Sequence, residues 1–561
     1  MDSLDGAGDR APRESGGEGA SGAPSVLALS ALALLLAALP YIAGFLAARR
    51  GEVFLGALNN LGDTGQYLAA LRQGMGGQLL YVNQYTSVRV APALIYPLYT
   101  AFGFLCAPLH VSPLAVYTLL RAIAAVALLA ALRGLCRAVC PTRAVLPFAL
   151  ALFGGGLYVP VLLLSPLVRL PFAPVALTAP EFSLFAMLLN SPHGTLGLAA
   201  ELWGLTGYLR WRRERDPRGG AMLAAGGLAL GLCYPFGLAV LLPVVGVDSV
   251  LAFFGERRRP TPGADAIRGE RRRRPSGADV MLPALALLPA FGLALYYAAL
   301  FRYDPHWGAS GMLRLPPPSV PVLAAAFGPL VALALPIVWR QARPRSPGGT
   351  SGLRLMTVWA IVTPLLLLLP VPQSERLLSG WSVALALLGA ASLGRLGARR
   401  ARRARRYVLL LSLSNVMLAL LYLAVALGGG GSNRAYYAPA GEAAAVRWLA
   451  RHAGPNDVVM ASAGSGNLIV AAASCRVVVG QNFETINFGQ AQRDVARFYD
   501  PATGGRERAA IVRRQRVTLA LAGPYERALG GFVPYGRGYR GYRQVFSDSA
   551  GTIRVFAVEG T

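Results

Sequence analysis

The sequence is poor in charged residues, which occupy 14% of its 561 positions, whereas soluble domains carry about 25%. Hydrophobic residues make up 54% of the chain, and the mean hydropathy is +0.47. These values exclude an ordinary soluble protein. They indicate an integral membrane protein.

Lysine is absent, so all 54 basic residues are arginines. A net charge of +27 would suit a nucleic-acid-binding protein. However, the arginines are concentrated in short segments between apolar runs, for example at 210–218, 257–274 and 399–406. Cytoplasmic loops of membrane proteins have this distribution, so we expect no nucleic acid among the partners.

Cysteine and histidine are also scarce, with five and four residues respectively. Cys475 is the only cysteine after residue 430, so that region has no internal disulfide. Cys136 and Cys140 are four residues apart at a predicted helix end. A shared metal ion is one interpretation of this pair, and small apolar residues that fill a helix face are the favoured one.

Apolar segments long enough to cross a membrane recur along the chain. The first, at 26–48, is too long for the core of a signal peptide, and we expect it to remain as the first helix. Ten further spans are predicted at 113–134, 144–165, 191–209, 221–236, 237–254, 280–301, 319–339, 354–371, 380–396 and 407–427. The predicted fold is therefore an all-α polytopic bundle of about eleven transmembrane helices, with a cytoplasmic N-terminus.

The apolar segment 91–109 is expected not to cross the membrane. If it crossed, the arginine-rich loop that follows helix 113–134 would lie outside, whereas such loops are expected in the cytoplasm. Pro92 and Pro97 suit a re-entrant or interfacial segment instead. The alternative is that 91–109 does span and that another predicted helix, near 234–236, is wrong.

Three regions follow from this pattern. Residues 1–24 are predicted to be a disordered cytoplasmic tail, and residues 25–430 a transmembrane domain with an external loop at 49–90. Residues 431–561 are predicted to be a small extracytoplasmic α/β domain, since strands and helices alternate there. Its predicted strands are 457–461, 468–470, 476–479, 517–521, 542–546 and 553–557, and its predicted helices are 442–453 and 506–514.

Asp63 is the main candidate for chemistry. It lies about fifteen residues beyond the first predicted helix, in a polar stretch of the external loop 49–90. A carboxylate held just outside the membrane can act as a general base on a substrate that arrives through the membrane. The alternative role is the N-cap of a helix over 64–72, and both interpretations stay open.

In this region the chain resembles the polytopic GT-C glycosyltransferases, such as the bacterial dolichyl-phosphate-mannose-type and aminoarabinose-type transferases. In that group an essential acid follows the first helix, a tyrosine comes a few residues later, and an aromatic-proline segment precedes the next span. Asp63, Tyr67 and the segment Tyr96–Tyr99 stand in those places. The resemblance implies a polyprenyl-phosphate sugar as donor and a glycan, lipid or protein of the cell envelope as acceptor. We expect the transfer to be inverting, and Tyr67 and Tyr96, as external aromatic residues, are expected to stack on sugar rings.

The chain departs from the pattern of that group in one respect, because Asp63 is followed by Thr64 and Gly65 rather than by a second acid. No metal ligand is therefore assigned. A divalent metal stays open as a cofactor.

Three other residues on predicted external loops are candidates for substrate binding. Glu181 and His193 could bind sugar hydroxyls or the phosphate, unless Glu181 is solvated and the residues around His193 only cap a helix. Arg376 could pair with the lipid phosphate, unless it extends to the interface or pairs with Glu375. Asp304 and His306 are weaker candidates, since an interfacial turn also explains them.

The leading functional hypothesis is a glycosyltransferase of the cell membrane. A transporter or flippase for lipid-linked or small polar substrates is the alternative. Transporters place ionisable groups or broken helices near the middle of the membrane, and here the predicted helix centres contain few apart from Arg121 and Glu201. A scaffold that binds cell-wall material is a third hypothesis. The C-terminal domain is expected to carry no catalytic residue of its own.

Overall fold

The structure is a computed structural model. It describes residues 18–59, 61–141, 144–173, 177–257, 276–309, 317–342, 351–369, 373–396, 398–428, 436–531 and 541–559. The first helix begins at Glu18, so the prediction of disorder over 1–24 is wrong for residues 18–24, and residues 1–17 lie outside the described part. Once a helix is nucleated, each residue added at its end gains a hydrogen bond, so the apolar span can extend into the polar tail.

Helices account for most of the described chain. In chain order they are α1 Glu18–Ala47, α2 Leu61–Met75, α3 Pro97–Cys106, α4 Pro113–Val139, α5 Val145–Phe153, α6 Tyr158–Leu164, α7 Leu184–Leu189, α8 Pro192–Glu214, α9 Pro217–Cys233, α10 Leu238–Arg257, α11 Ala278–Ala286, α12 Leu288–Tyr303, α13 Pro305–Ala309, α14 Val320–Ala342, α15 Ser351–Leu366, α16 Trp381–Leu393, α17 Ala398–Gly428, α18 Ala440–His452, α19 Ala463–Ala472, α20 Phe488–Tyr499, α21 Gly505–Gln515 and α22 Pro524–Arg527. The strands are β1 Val53–Phe54, β2 Tyr437–Ala438, β3 Val458–Met460, β4 Arg476–Val477, β5 Leu519–Ala522, β6 Tyr542–Ser547 and β7 Arg554–Val558.

Within the described residues, seven helical segments are long and apolar enough to cross a membrane, or eight if the bent pair α11 and α12 is one span. The protein is a multi-pass membrane protein, and its outer face is apolar, as Leu35 and Ile42 of α1 illustrate with 59% and 50% of their surface exposed. Large contiguous apolar surfaces of this kind are buried in lipid rather than in water.

The predicted number of about eleven spans is not confirmed. The three segments that make the difference are 191–209, 221–236 and 354–371, which fold as α8, α9 and α15. Helices α9 and α15 have 17 and 16 residues, fewer than the roughly 20 that a straight span needs. Segment 91–109 folds as a short apolar helix from Pro97 to Leu109, and its ten-residue α-helical part is too short to span.

Helix α8 lies at the centre of the bundle and packs closely on α9. A Cβ atom added at Gly226 of α9 would lie 2.8 Å from the Cα atom of Gly204 of α8. Small residues at such a crossing let two helix backbones touch. Helix α8 begins at Pro192 and carries His193 in its first turn.

The C-terminal region is an α/β unit built on a five-stranded sheet in the order β4-β3-β5-β7-β6. Strand β3 runs parallel to β4 and β5, and the hairpin β6–β7 is antiparallel. The predicted strand at 468–470 is wrong, because these residues lie inside α19. Helix α19 is capped by the side chain of Ser462, which accepts a hydrogen bond from the backbone N–H of Ser465.

This unit contacts the predicted external loop 49–90, called the first loop below, as well as following the last helix of the bundle in sequence. Strand β1 of the loop pairs antiparallel with β2, which opens the C-terminal region. One continuous apolar cluster contains Tyr67 and Tyr85 of the loop region together with Val459 and Ile469 of the C-terminal unit. The first loop and the C-terminal unit therefore share a core.

Candidate active site

A cavity of about 180 Å³ lies where α2, α3, α8 and the C-terminal unit meet. Five of the six residues predicted for the site line it, namely Asp63, Tyr67, Tyr96, His193 and Arg376. These residues come from four segments that are far apart in the sequence. The fold brings them to one place.

Asp63 lies in the first turn of α2, which begins two residues earlier at Leu61. It is therefore inside the helix, and the predicted role as the N-cap of a helix starting at Thr64 is wrong. Its Oδ1 atom accepts a hydrogen bond from Nε2 of Gln481 at 2.8 Å. Burial raises the pKa of Asp63, and the charge of Arg376 and the bond from Gln481 oppose that rise. A carboxylate that is more basic than usual suits a general base.

Tyr67 lies one helical turn from Asp63 on α2, and its ring lines the cavity. Its ring stacks on Tyr99 with centroids 4.6 Å apart and meets Tyr96 edge-on at 5.6 Å. The hydroxyl of Tyr99 lies 2.9 Å from Nδ1 of His193. One face of the Tyr67 ring is therefore covered by protein, and both Tyr67 and Tyr96 line the cavity.

Arg376 stands on the opposite wall, in a 3-10 turn over Ser374–Leu378. Its guanidinium carbon lies 5.1 Å from the ring centroid of Phe236. Among the described residues no carboxylate comes within 4.0 Å of it, so the predicted pair with Glu375 is wrong. A half-buried arginine that faces a cavity without an ion-pair partner is suited to an anionic ligand.

Glu181 lies behind the cavity rather than on its surface. It is 6% exposed, and its Oε1 atom accepts a hydrogen bond from the hydroxyl of Tyr234 at 2.7 Å. Tyr234 lines the cavity. Glu181 therefore orients a lining residue. The predicted direct contact of Glu181 with substrate is not supported, because Glu181 does not line the cavity, and the alternative that Glu181 is solvated is wrong, because it is buried.

Asp304 and His306 are part of a turn, as the alternative explanation predicted. The Oδ1 atom of Asp304 accepts hydrogen bonds from the backbone N–H groups of His306 and Trp307 at 2.8 and 2.9 Å. Asp304 thus caps α13. Trp307 then reaches the cavity wall.

Two cavity residues hold their backbones in the left-handed region. Tyr96 has φ 54°, and Gln373, which precedes the turn carrying Arg376, also has φ 54°. That conformation costs a non-glycine residue about 1–2 kcal/mol. Such strain is common at ligand sites, where the surrounding structure compensates it.

Sequence reasoning missed a set of residues from the C-terminal unit. The turn after β4 brings Phe483 and Glu484 to the cavity and Gln481 to Asp63. One local feature could have marked this turn as a candidate ligand site, because Gln481 and Glu484 come shortly after the parallel strand β4. Ligands of α/β units bind beyond the carboxyl ends of such strands.

Glu484 is 3% exposed, and its Oε1 atom accepts a hydrogen bond from the hydroxyl of Tyr96 at 2.6 Å. Burial raises the pKa of Glu484 to about 7, the bond from Tyr96 opposes this rise, and the charge of Asp63 adds to it. Among the described residues, two carboxyl groups and one guanidinium group thus line the cavity.

Metal-ligating side chains are few around Asp63 in the part of the chain that the structure describes. Over the described part of the chain, no group of three or more histidine, cysteine, aspartate or glutamate side chains is arranged to hold an ion. One oxygen of Asp63 is already bound by an amide donor.

No protein-family model matches the sequence, and no curated protein sequence matches it. Solved structures do match its fold. The apo Archaeoglobus fulgidus oligosaccharyltransferase aligns with TM-score 0.54 and 14% identity over 96% of this chain and 74% of that one. The same enzyme tethered to an acceptor peptide with an NVT sequon gives 0.50 and 16% over 95% and 74%.

The apo ArnT of Cupriavidus metallidurans also aligns, with TM-score 0.49 and 12% identity over 95% of this chain and all of that one. The match to the oligosaccharyltransferase shows the GT-C fold. The resemblance predicted from Asp63, Tyr67 and the segment 96–99 is confirmed as a likeness of fold.

Proposed function

We propose that the protein is a membrane glycosyltransferase that moves a sugar from a polyprenyl-phosphate donor to an acceptor outside the cytoplasm. The observation that carries this proposal is the cavity that places Asp63 and Arg376 together beside an apolar wall. The fold supports it, because the structure most similar among those above is an oligosaccharyltransferase and the second holds an acceptor peptide.

The donor's phosphate fits the wall that carries Arg376. A guanidinium group binds phosphate oxygens through two parallel hydrogen bonds, and no carboxylate of the described residues competes for it at ion-pair distance. The lining next to it is apolar and includes Leu98, Leu232, Phe236 and Phe301. This surface suits the first isoprene units of a lipid carrier, since its burial there removes apolar area from water.

The reaction that this arrangement supports is a single displacement with inversion at the anomeric carbon. The acceptor oxygen attacks that carbon while Asp63 takes the acceptor proton. The bond between the anomeric carbon and the phosphate oxygen breaks, and its electron pair stays on the phosphate. Arg376 stabilises the negative charge that builds up on the leaving phosphate. The products are a glycosylated acceptor, polyprenyl phosphate and a proton held by Asp63.

We further propose that the cavity faces away from the cytoplasm, with the N-terminus inside and residues 436–559 outside, as the arginine distribution predicts. The acceptor is then a glycan, lipid or protein of the cell envelope. Cysteines introduced singly at 210–219 and at an exposed position of α21 test the orientation. A membrane-impermeant thiol reagent added to intact cells should label only α21.

The test of function uses the purified full-length protein with a panel of polyprenyl-phosphate sugars, and the measured quantity is released polyprenyl phosphate. Asp63→Asn preserves shape and removes basicity, so we expect turnover to fall roughly 10²–10⁴-fold while donor binding stays. Asp304→Asn is the matched control, because asparagine caps a helix about as well as aspartate. An Asp63→Asn variant with wild-type turnover would exclude Asp63 as the base.

A further inference from the structure

The turn that carries Glu484 is rigidly held against the first loop. Within the turn, the backbone N–H of Glu484 donates to the carbonyl of Gln481 at 3.2 Å, and the N–H of Gly480 donates to Oγ1 of Thr485 at 3.1 Å. Across to the loop, Nδ2 of Asn83 donates to the carbonyl of Glu484 at 2.8 Å. The position of the Glu484 side chain is therefore set by hydrogen bonds from both parts of the chain.

The two oxygens of the Glu484 carboxyl group are in different situations. Oε1 accepts the hydroxyl of Tyr96. Oε2 is fully buried and has no hydrogen-bond partner among the described residues. Glu484 itself lines the cavity that Asp63 and Arg376 share.

A buried carboxylate oxygen without a partner is costly, and proteins rarely leave one unsatisfied. Nothing in the packing demands an acid here, since glutamine has nearly the same shape and accepts the bond from Tyr96 equally well. A group that arrives in the cavity and donates a hydrogen bond would remove the cost. Sugars and hydroxylated acceptors supply such donors in number.

The titratable groups that face Glu484 come from several elements. Tyr81, Tyr85 and Tyr96 lie on the first-loop side, and Asp63 lies on α2. The tyrosines are neutral at physiological pH because burial and the nearby carboxyl raise their pKa values well above the usual one. Asp63 is therefore the one charged neighbour among them, and it repels a second negative charge.

We propose that Glu484 is a substrate-contacting residue that the C-terminal domain adds to the cavity, and that its Oε2 atom accepts a hydrogen bond from a hydroxyl group of the transferred sugar or of the acceptor. The proposal rests on the glycosyltransferase function proposed above. It departs from the sequence-based expectation that the C-terminal domain supplies no residue to the chemistry.

The experiment compares Glu484→Gln and Glu484→Asp with wild type, using whichever polyprenyl-phosphate sugar of the panel the wild type turns over. Glu484→Gln keeps the bond to Tyr96 and removes the charge, and a lost charge-assisted bond to substrate should lower kcat/KM about 10- to 100-fold. Glu484→Asp keeps the charge but withdraws the oxygens by one methylene, so it should recover part of the loss. Asn482→Ala, at an exposed neighbouring position, is the control and should match wild type.

Two KM values identify which substrate is bound. If the hydroxyl belongs to the donor sugar, Glu484→Gln raises the KM for the donor, and if it belongs to the acceptor, only the acceptor KM rises. The pH profile adds a readout that a merely structural residue would not move. The wild-type rate should rise through about pH 7 as Glu484 ionises, and Glu484→Gln should lack that step.

The outcomes separate the two proposals. Wild-type turnover with unchanged KM values and an unchanged pH profile in Glu484→Gln would overturn the role of Glu484 and leave the transferase function standing. If wild type released polyprenyl phosphate from no donor and bound none, the function itself would be wrong, and the role of Glu484 would fall with it.

Discussion

Replacement of Glu484 by glutamine should make the protein increasingly stable relative to wild type as the pH rises. The folded state holds the proton of Glu484 up to about pH 7, because burial raises the pKa of this carboxyl. In the unfolded chain the same carboxyl loses its proton near its ordinary pKa of 4.5. Between these two values the folded state binds more protons, so wild-type stability falls as pH increases.

The size of the effect follows from the two pKa values. A pKa of about 7 instead of 4.5 costs the ionised folded state about 3 kcal/mol, at 1.36 kcal/mol per pKa unit. The cost is about 1 kcal/mol at pH 5, where few folded molecules are ionised, and approaches the full value at pH 8. Glu484→Gln does not titrate, so its advantage over wild type should grow by about 2 kcal/mol from pH 5 to pH 8.

The assay is thermal unfolding of both proteins in detergent at pH 5, 6, 7 and 8, and the quantity compared is the difference between them at each pH. Glu526→Gln is the matched control. Glu526 is 1% exposed in the same domain, but both of its oxygens accept backbone N–H groups, from Ser462 at 2.9 Å and Gly523 at 3.0 Å. An amide there turns one acceptor into a donor that faces an N–H group, so this variant should lose about 1–3 kcal/mol. A difference between Glu484→Gln and wild type that stays constant with pH would refute the reasoning.

Three further predictions test other parts of the molecule. Arg376→Gln should raise the KM for the donor about 10- to 100-fold with little change in acceptor KM, since it removes a charge-assisted bond to phosphate. Steady-state kinetics measure both KM values. An increase in the acceptor KM alone would show that Arg376 does not bind the donor phosphate. Asp248→Ala should destabilise the protein by about 3 kcal/mol in thermal unfolding, because the buried carboxylate binds Arg354 at 2.8 Å and Tyr208 at 2.8 Å. A loss of stability below about 1 kcal/mol would contradict this reasoning. Glu201 is 1% exposed in the bundle, and neither of its carboxyl oxygens has a partner among the described residues. Glu201→Gln should nevertheless leave sugar transfer at the wild-type rate. If the variant instead lost transport of substrate across the membrane of reconstituted vesicles, a transporter would be favoured, because transporters use such buried acids.

The class of fold was accessible from the sequence, because hydropathy and arginine placement depend on the membrane rather than on tertiary detail. The number of spans was not. Helix α8 is enclosed by protein, and Glu201 and Arg210 lie on it, so its composition does not have to satisfy lipid. The predicted segment 144–165 is confirmed as one candidate span, Val145–Leu164. Its helix is interrupted at Gly154–Gly156, where the close approach of another helix requires glycine: a Cβ at Gly156 would lie 2.0 Å from the carbonyl oxygen of Ala326.

Only part of the candidate site could be predicted from the sequence. Asp63 and Tyr67 could be found because an acid and a tyrosine one turn apart on a polar loop after the first helix form a local pattern. Gln481 and Glu484 could not be linked to them, since more than 400 residues separate Gln481 from its partner Asp63, and a single sequence contains no signal of which distant turn folds over a loop. Glu181 was assigned to substrate contact, whereas Tyr234 stands between it and the cavity.

The first loop and the C-terminal unit build the candidate site together. The first loop does not have a core of its own: Tyr81 and Tyr85 are fully buried only together with residues such as Val477 and Cys475 of the C-terminal unit. Arg72 of α2 likewise bonds to Ser474 at 3.0 Å. Because the loop that carries Asp63 is completed by the C-terminal unit, a chain shortened before residue 436 would expose this aromatic cluster and leave Asp63 without its amide donor. The C-terminal unit is therefore a wall of the cavity that contains Asp63.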